Sequence, residues 1–327
     1  MQNILVTGGA GYIGSHAVVE LLDSGYDVVV IDSLENGFIE LVDKRAKFYQ
    51  GNVQDLELMD KIFTENKIDA VMHFAGYIKV PESVTEPNKY YLNNTYTVMC
   101  LIEAMRKNSV KNIVFSSTAA VYGDVKESEP VDENHSTFPI NPYGMSKFMS
   151  ERIIQDCAKS YGLNYAIFRY FNVGGAHEKY DIGQKDKNIT ALIPLILKAA
   201  SGEMEKLSVY GNDFDTKDGT GIRDYIHVVD LVRAHILALK ELEKNHSDIY
   251  NLGNGNGFSV LEMLNAAKEV TNIDIPYEIT ERRAGDPPCV VASSKKACEK
   301  LEWKPSYTNV QDIIKTAWEW NQKLCKY

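Results

Sequence analysis

Tyr143 and Lys147 are the residues of this 327-residue chain whose types and spacing point most directly to chemistry. They lie in Asn141-Pro142-Tyr143-Gly144-Met145-Ser146-Lys147. Asn141 is a favourable helix N-cap, because its side-chain oxygen can accept an amide of the first turn that has no helical partner. Pro142 suits the first helical position, where a missing N–H costs nothing. Tyr143 and Lys147 then share one helix face, with Cβ atoms about 6 Å apart. A phenol is a poor base, with an ordinary pKa of about 10. An ammonium beside it stabilises the phenolate and moves that pKa toward neutrality. The same spacing arises by chance on many solvated helices. Two further features select the chemical reading here: a glycine fingerprint beginning at Gly8, and Ser116-Ser117-Thr118 closing a predicted strand ahead of the helix.

The elements that must position these residues are legible in order. Ile4–Thr7 is a short apolar run, read as a buried strand. Gly9, Gly11 and Gly14 follow as G-x-G-x-x-G, with Gly8, Gly11 and Gly14 as an overlapping set, and a helical pattern runs on through Val18, Val19, Leu21 and Leu22. Glycines there permit a tight turn and the close approach of a pyrophosphate to the helix N-terminus. The next strand, Val28–Ile31, ends in Asp32, eighteen residues beyond Gly14. A carboxylate in that place accepts from a ribose 2′-hydroxyl and repels a 2′-phosphate, which favours NAD over NADP.

Strands are expected at 46–49, 69–74, 113–115 and 165–168, with helices at 56–63, 90–107 and from Pro142. Such alternation predicts a Rossmann-type α/β fold: a doubly wound parallel sheet of about seven strands, with ligands at the strands' C-terminal ends. After Asn172 the texture changes. Residues 174–188 read as a loop or domain crossing, followed by a helix near 189–200, a strand at 207–210 and a helix near 230–242. Tyr250–Gly253 is expected to return to the main sheet as its seventh strand, and Ser259 with Glu262 forms a capping box. The expected division is a dinucleotide domain over 1–173 and a smaller α+β substrate domain over 174–327, with about 228–256 returning to the first.

Net charge is −10, which argues against nucleic-acid or anionic-membrane partners. Cys100, Cys157, Cys289, Cys298 and Cys325 are scattered and odd in number, fitting neither a metal site nor a disulfide framework. With no leader-like N-terminus and no apolar run near the roughly 20 residues of a span, the expected location is the cytoplasm.

Several segments resemble the extended short-chain dehydrogenase/reductase family, and within it the sugar-nucleotide 4-epimerases. They are Thr7–His16, His73-Phe74-Ala75-Gly76, Val121-Tyr122-Gly123-Asp124, Arg169-Tyr170-Phe171-Asn172 and, most specifically, Gly219–Val228. The resemblance runs from Ile4 to Trp320. It implies that Tyr143 takes the proton from a sugar 4-hydroxyl, Thr118 hydrogen-bonds the same oxygen, and Lys147 depresses the Tyr143 pKa and holds the nicotinamide ribose. Oxidation at C4, turning of the keto sugar and reduction on its other face would interconvert UDP-galactose and UDP-glucose. NAD would stay tightly bound and be regenerated each cycle.

The resemblance also implies the binding residues. The Tyr12 and Ile13 amides, with Gly8, Gly11 and Gly14, would meet pyrophosphate, while Asp32 and Asn36 would hold the adenosine ribose. Asn52 and Val53 would lie near adenine. Phe74, Ala75, Gly76, Lys79, Asn93, Ser116 and Tyr170 would line the rest of the cofactor's path. Asn172, Arg223 and Arg283 would bind the diphosphate, Phe171 and Leu192 the nucleotide sugar, Ser208, Val209 and Tyr210 the uracil, and Asp286 the ribose.

Four positions depart from the family's usual pattern. Asn52 replaces an acidic residue, Thr118 a serine, and Ala191 a polar residue. Val290 stands where some relatives have a bulky tyrosine, which would leave room for an N-acetyl group and admit UDP-GlcNAc and UDP-GalNAc. Taken alone, Arg223-Asp224 and Arg283-Asp286 read as surface ion pairs, Lys79 as a solvated charge, and His73 and His227 as packed residues. Family members of this kind usually form homodimers through helices near 90–108 and 142–160, so Tyr90, Tyr91 and Met105 are expected in core or dimer packing. The rival readings are an NAD-dependent nucleotide-sugar 4,6-dehydratase and a non-catalytic NAD-binding protein. Ala119-Ala120 after Thr118 opposes the first, and the retained Tyr143/Lys147 pair opposes the second.

Overall fold

A computed structural model describes residues 1–125, 130–185, 189–283 and 286–324. Cys325, the end of the 174–188 stretch, and Ala284-Gly285 of the loop after Arg283 lie outside the described residues. The first six strands are β1 (Asn3–Thr7), β2 (Asp27–Asp32), β3 (Lys47–Gln50), β4 (Ala70–His73), β5 (Asn112–Thr118) and β6 (Asn164–Tyr170). Three more follow, β7 (Asn172–Gly174), β8 (Leu207–Tyr210) and β9 (Ile222–His227), before β10 (Asp248–Leu252). The main sheet runs β10-β6-β5-β4-β1-β2-β3, and its seven strands are parallel throughout. The seventh strand is thus the segment around Tyr250, as its sequence suggested.

Helices cover both faces, so alternate residues of each central strand enter different cores. Ile4 and Val6 pack with Val18, Leu231 and Leu239 on one side, and Leu5 packs with Ile62, Leu101 and Ile154 on the other. This is why these strands read as unbroken apolar runs. Each fully buried aliphatic side chain contributes about 1.5–3 kcal/mol. The helix Val228–Glu243 belongs to the first of these cores, which ties the late part of the chain back to the main sheet.

Strand order reverses between β1 and β4, since the chain winds outward through β2 and β3 and then crosses to β4. The crevice at that switch point is where ligands bind in such sheets. The glycine turn after β1 and the Phe74-Ala75-Gly76 segment after β4 are its two walls.

Three short strands complete the second part: β11 (Gly257–Ser259), β12 (Tyr277–Thr280) and β13 (Cys289–Val290). β9 is the axis of this part, flanked by β11 antiparallel and by β7 and β13 parallel, while β8 pairs with β12 alone. Helices Leu192–Ala200, Val260–Thr271 and Val310–Leu324 pack around β8 and β9 in a separate core with Ile193, Val209, Tyr225 and Ile313. The Ser259–Glu262 capping box is present.

Two expected helices differ. The one expected from 189 begins at Leu192, because Ala191 is still extended. The one expected over 90–107 starts at Pro87, passes through a π-helical stretch at Tyr91–Tyr96 and continues as α-helix from Thr97 to Lys107. A π turn fits an extra residue into the helix and rotates the turns beyond it, a device common at functional sites. Here it turns Asn94 inward, to 2% exposure.

Candidate active site

Helix Pro142–Tyr161 starts as its residues dictate. Asn141 is extended, and its side chain accepts from the Gly144 amide at 2.8 Å. Tyr143 therefore stands in the first turn of a 20-residue helix, where the positive end of the dipole favours an anion. Side chains one turn apart then meet the end of β5 in succession. The Thr118 hydroxyl lies near the Tyr143 phenol, the Lys147 ammonium donates to the Ser116 carbonyl at 2.9 Å, and the Glu151 carboxylate accepts from the Ser117 hydroxyl. Thr118 Oγ1 accepts from the Ala120 amide at 3.1 Å, which leaves its proton free to donate into the site.

Behind this row lies a buried polar network. Arg169, the cross-strand partner of Ser117, donates to Glu151 from Nε and Nη2 at 3.1 and 2.7 Å. Its Nη1 donates to the Tyr122 hydroxyl at 3.0 Å, which donates in turn to Asn251 Oδ1 at 2.6 Å. Tyr170 lies beside Ser116 and Tyr143, and its hydroxyl is hydrogen-bonded to His235.

Burial dominates the electrostatics of the Tyr143/Lys147 pair. Burial pushes the Tyr143 phenol up, with the nearby Thr118 hydroxyl pulling the other way. Burial pushes the Lys147 ammonium down to about 8, opposed by the Glu151 carboxylate. Lys147 is desolvated and aimed at the Ser116 carbonyl, over the Phe115 ring at 5.1 Å. His73 and His227 are packed residues, as expected. His73 bonds the Thr7 hydroxyl at 2.7 Å and stacks on Phe115. His227 bonds Thr316 at 2.9 Å and stacks on Tyr307 at 3.7 Å.

The residues around the glycine turn fit a dinucleotide. Gly8 has φ +72°, and a Cβ on it would lie 2.7 Å from the Ala75 amide nitrogen. One on Gly14 would strike the Gly8 carbonyl oxygen at 2.1 Å. Helix Tyr12–Asp23 begins at Gly11 without a side-chain cap, so no side chain there competes with an anion for its first amides. The Tyr12 ring points away, donating to the Gly175 carbonyl at 2.6 Å, so only its amide can serve a cofactor. Asp32 shapes its own loop, accepting from the Ala10 and Leu34 amides at 3.0 and 2.8 Å. Asn36 lies exposed just beyond.

Asn52 uses its side-chain oxygen to cap the turn at the Gln54 amide, 2.9 Å away, and Val53 is buried beside it. Phe74 packs near the His235 ring, and Gly76 lies against both Asn94 and the Lys147 ammonium. Lys79 is fixed through its backbone, which exchanges hydrogen bonds with the Tyr90 hydroxyl. Asn93 donates to Asn94 at 3.2 Å. Tyr90 and Met105 are fully buried, and Tyr91 is half-buried.

On the substrate side, β7 and β13 flank β9, bringing Asn172, Arg223 and Val290 to adjacent positions. Asn172 donates to the Asp224 carbonyl at 2.9 Å, and Phe171 packs near Val121 and Tyr122. The Arg223 guanidinium donates to the Ile222 and Pro287 carbonyls at 2.8 and 2.9 Å. Arg283 lies over the Tyr210 ring at 3.8 Å, and the Asp286 amide donates to the Arg283 carbonyl. Neither arginine pairs with a carboxylate among the described residues, so the surface ion pairs do not form. Asp224 is instead buried, accepting from the Asn254, Gly255 and Ala292 amides at 2.6, 2.9 and 3.0 Å. Its carboxyl is pushed up to about 6 by burial, against those three hydrogen bonds. β8 alternates: Ser208 and Tyr210 face out, while the Val209 side chain enters the core, leaving only its backbone for a ligand. Leu192 is half-buried at its helix start.

Sequence reasoning missed Glu151, Arg169 and Asn94. Glu151 continues the Tyr143/Lys147 spacing by one more turn, which could have flagged it. Arg169 lay within a family motif without a role, and Asn94 is turned inward by a π turn that no local pattern announces. Among the described residues no cluster of three or more His, Cys, Asp or Glu side chains could hold a metal ion.

The comparisons with known proteins agree with this geometry. The profile of the NAD dependent epimerase/dehydratase family matches residues 4–253. UDP-glucose 4-epimerase of Lactobacillus helveticus is 52% identical over 322 residues, covering 98% of this chain and 97% of that one. The crystal structure of UDP-glucose 4-epimerase from Bifidobacterium longum, in complex with NAD+ and UDP, superposes with a TM-score of 0.93 at 42% identity, covering 98% of each chain. The UDP-Glc/GlcNAc 4-epimerase from Campylobacter jejuni gives 0.87 at 40% identity, covering 99% of this chain and all of that one. The chain belongs to the NAD dependent epimerase/dehydratase family, among its UDP-glucose 4-epimerases.

Proposed function

We propose that the protein interconverts UDP-galactose and UDP-glucose, with NAD held throughout the cycle. The observation that carries this is Tyr143 set next to Thr118 and one helical turn from a buried Lys147, at the strand ends facing the glycine turn. Bound NAD supplies a reversible hydride acceptor at that place. Tyr143 takes the proton from the sugar 4-hydroxyl as C4 loses its hydride, and returns it on the reverse step. Thr118 donates to the same oxygen, and Lys147 steadies the nicotinamide ribose while the helix dipole favours the phenolate. Proton transfer of this kind is worth about 10²- to 10⁴-fold. Inversion needs the keto sugar to present its other face, so the chain must grip the diphosphate and leave the hexose free to turn.

The pyrophosphate of NAD is assigned to the amides of Tyr12 and Ile13, and its adenosine ribose to Asp32 and Asn36. Asn172, Arg223 and Arg283 take the substrate diphosphate, a natural role for unpaired guanidinium groups. Ser208, Tyr210 and the Val209 backbone take the uracil, and Asp286 the ribose. In this reading residues 1–173, with the returning segment near 228–256, form the dinucleotide domain, and the remainder forms the nucleotide-sugar domain. Val290, beside Arg223, leaves space at the sugar C2 substituent, so UDP-GlcNAc is assigned as a second substrate. Ala119 and Ala120 offer only methyl groups where a dehydratase needs acid–base side chains.

A homodimer is supported by exposed Leu92, Tyr96 and Met99 on one helix, with Met149 on the neighbouring helix. Free thiols at Cys100, Cys157, Cys289 and Cys298 fit a reducing cytosol, and no described helix is long and apolar enough to cross a membrane.

The test is to mix purified protein with UDP-galactose and no added NAD, then analyse the products. UDP-glucose is expected, and UDP-GlcNAc in a parallel mixture should yield UDP-GalNAc. A stable 4-keto-6-deoxy product would replace this reading with the dehydratase, and unchanged UDP-galactose would end it.

A further inference from the structure

β2 and β4 lie on either side of β1, so the loops leaving them rise on opposite flanks of the glycine turn. A hydrogen-bonded contact among the described residues joins these loops. The Tyr77 hydroxyl, from the loop after β4, meets both carboxylate oxygens of Glu35, from the loop after β2, at 2.8 Å each. Both ends are anchored. Asn94 grips the Tyr77 backbone on two sides, accepting from its amide at 2.8 Å and donating to its carbonyl at 3.0 Å. Asn94 also donates to the Ser146 hydroxyl at 3.0 Å, which ties this loop to the helix of Tyr143. The Tyr77 ring is backed by the Lys89 ammonium at 4.6 Å and the Tyr90 ring at 5.7 Å.

On the other side, Asp32 accepts from the Leu34 amide, and Leu34 takes φ 60°, which turns the chain sharply before Glu35. The Phe38 amide then donates to the Ala10 carbonyl at 2.9 Å, fastening the loop to the glycine turn itself. The contact therefore bridges the crevice from the Asp32 side to the Lys147 side.

We propose that Tyr77 and Glu35 form a clasp over the bound dinucleotide, closing its exit and governing how long the protein keeps it. The proposal rests on the NAD reading above. A dinucleotide whose adenosine ribose meets Asp32 and whose nicotinamide end reaches Lys147 passes beneath this bridge. It leaves only when the two loops part. The Tyr77 phenol, pushed up to about 12 chiefly by burial, keeps its proton and so remains a donor at any working pH. A cofactor regenerated within each cycle gains nothing from exchange, and a clasp confines it without touching the reacting atoms.

The test loads wild-type, Tyr77→Phe, Glu35→Ala and doubly substituted holoenzymes with radiolabelled NAD. Release is then followed after dilution into excess unlabelled NAD, with the melting temperature of each protein measured alongside. Each single variant should release label about 3- to 10-fold faster, the effect of one lost hydrogen bond. The double variant should be no faster than Glu35→Ala alone, because Tyr77→Phe then has no contact left to remove. Melting temperatures should stay at the wild-type value, since both side chains reach the surface. Equal release from all four proteins overturns the clasp alone, as does a double variant whose effect is the product of the two. A wild-type protein that captures no NAD overturns the cofactor reading and the clasp with it.

Discussion

Lys147 and Arg283 are both cations of the proposed reaction centre, yet their surroundings differ in kind. Lys147 is 3% exposed, bonded to a strand carbonyl, and backed one turn away by Glu151, itself locked to Ser117 and Arg169. Arg283 is exposed and rests on the open face of Tyr210. Among the described residues, the Arg223 guanidinium is held by the carbonyls of Ile222 and Pro287. Around Tyr143 the chain has thus arranged dipoles and charges in advance, at the expense of burying an ammonium. Around the arginines it presents cations that no described carboxylate neutralises and whose partner must come from outside. The proposed chemistry asks for this division. Proton transfer needs donor and acceptor fixed to fractions of an ångström, whereas the keto sugar must turn over while tethered by its diphosphate.

The sharpest way to break the contrast is Tyr143→Phe. It should fold, retain NAD and lose about 10²- to 10⁴-fold in kcat; near-wild-type turnover would remove Tyr143 from the mechanism. Next is Glu151→Ala, which leaves the Arg169 guanidinium buried without its partner and should cost about 3–5 kcal/mol in denaturant unfolding. A loss below about 1 kcal/mol, the range of surface pairs, would mean that the buried network is not what makes this half rigid.

A third test uses pH. Folded Lys147 releases its proton near 8, against an ordinary 10.5 in the unfolded chain. Between those values the unfolded state binds more protons, so this group adds stability as pH rises, by up to about 3 kcal/mol. Lys147→Met should lack that slope, and a wild-type-minus-variant difference flat across the window would show that the ammonium is not desolvated. The smallest effect is expected from Arg283→Ala, where the KM for UDP-galactose should rise about 10-fold with kcat little changed, the signature of a lost charge-assisted contact to the ground state. A fall in kcat with KM unchanged would place Arg283 at the chemistry and dissolve the distinction between the two regions.

The same contrast governs how much was legible beforehand. The glycine turn, Asp32 and the Asn141–Lys147 helix start are each carried by a few consecutive residues, and their structures follow from capping, φ requirements and strand–helix alternation. The main sheet was visible for a related reason: strands buried on both faces are written as apolar runs. In the second part, β7, β9, β11 and β13 are short and join segments from Asn172 to Val290. Their pairing depends on which chain ends meet, which periodicity does not encode. The surface ion pair that Arg223-Asp224 suggests when taken alone, set aside in context, is not what forms: neighbours along a strand point to opposite faces, and Asp224 turns inward to three amides.

By itself, then, the amino-acid order determined the parallel sheet, the dinucleotide turn, the choice of Tyr143, Lys147 and Thr118, and through end-to-end resemblance the family. Tertiary structure decided what those groups experience. It set Glu151 beneath Lys147, turned Asn94 inward on a π turn, closed Tyr77 onto Glu35, and desolvated the Lys147 ammonium. The physical reason is that residue type fixes which proton or hydrogen bond a group can offer, while its pKa and partners come from desolvation and from charges many residues away. Those quantities exist only once the strands have been brought side by side.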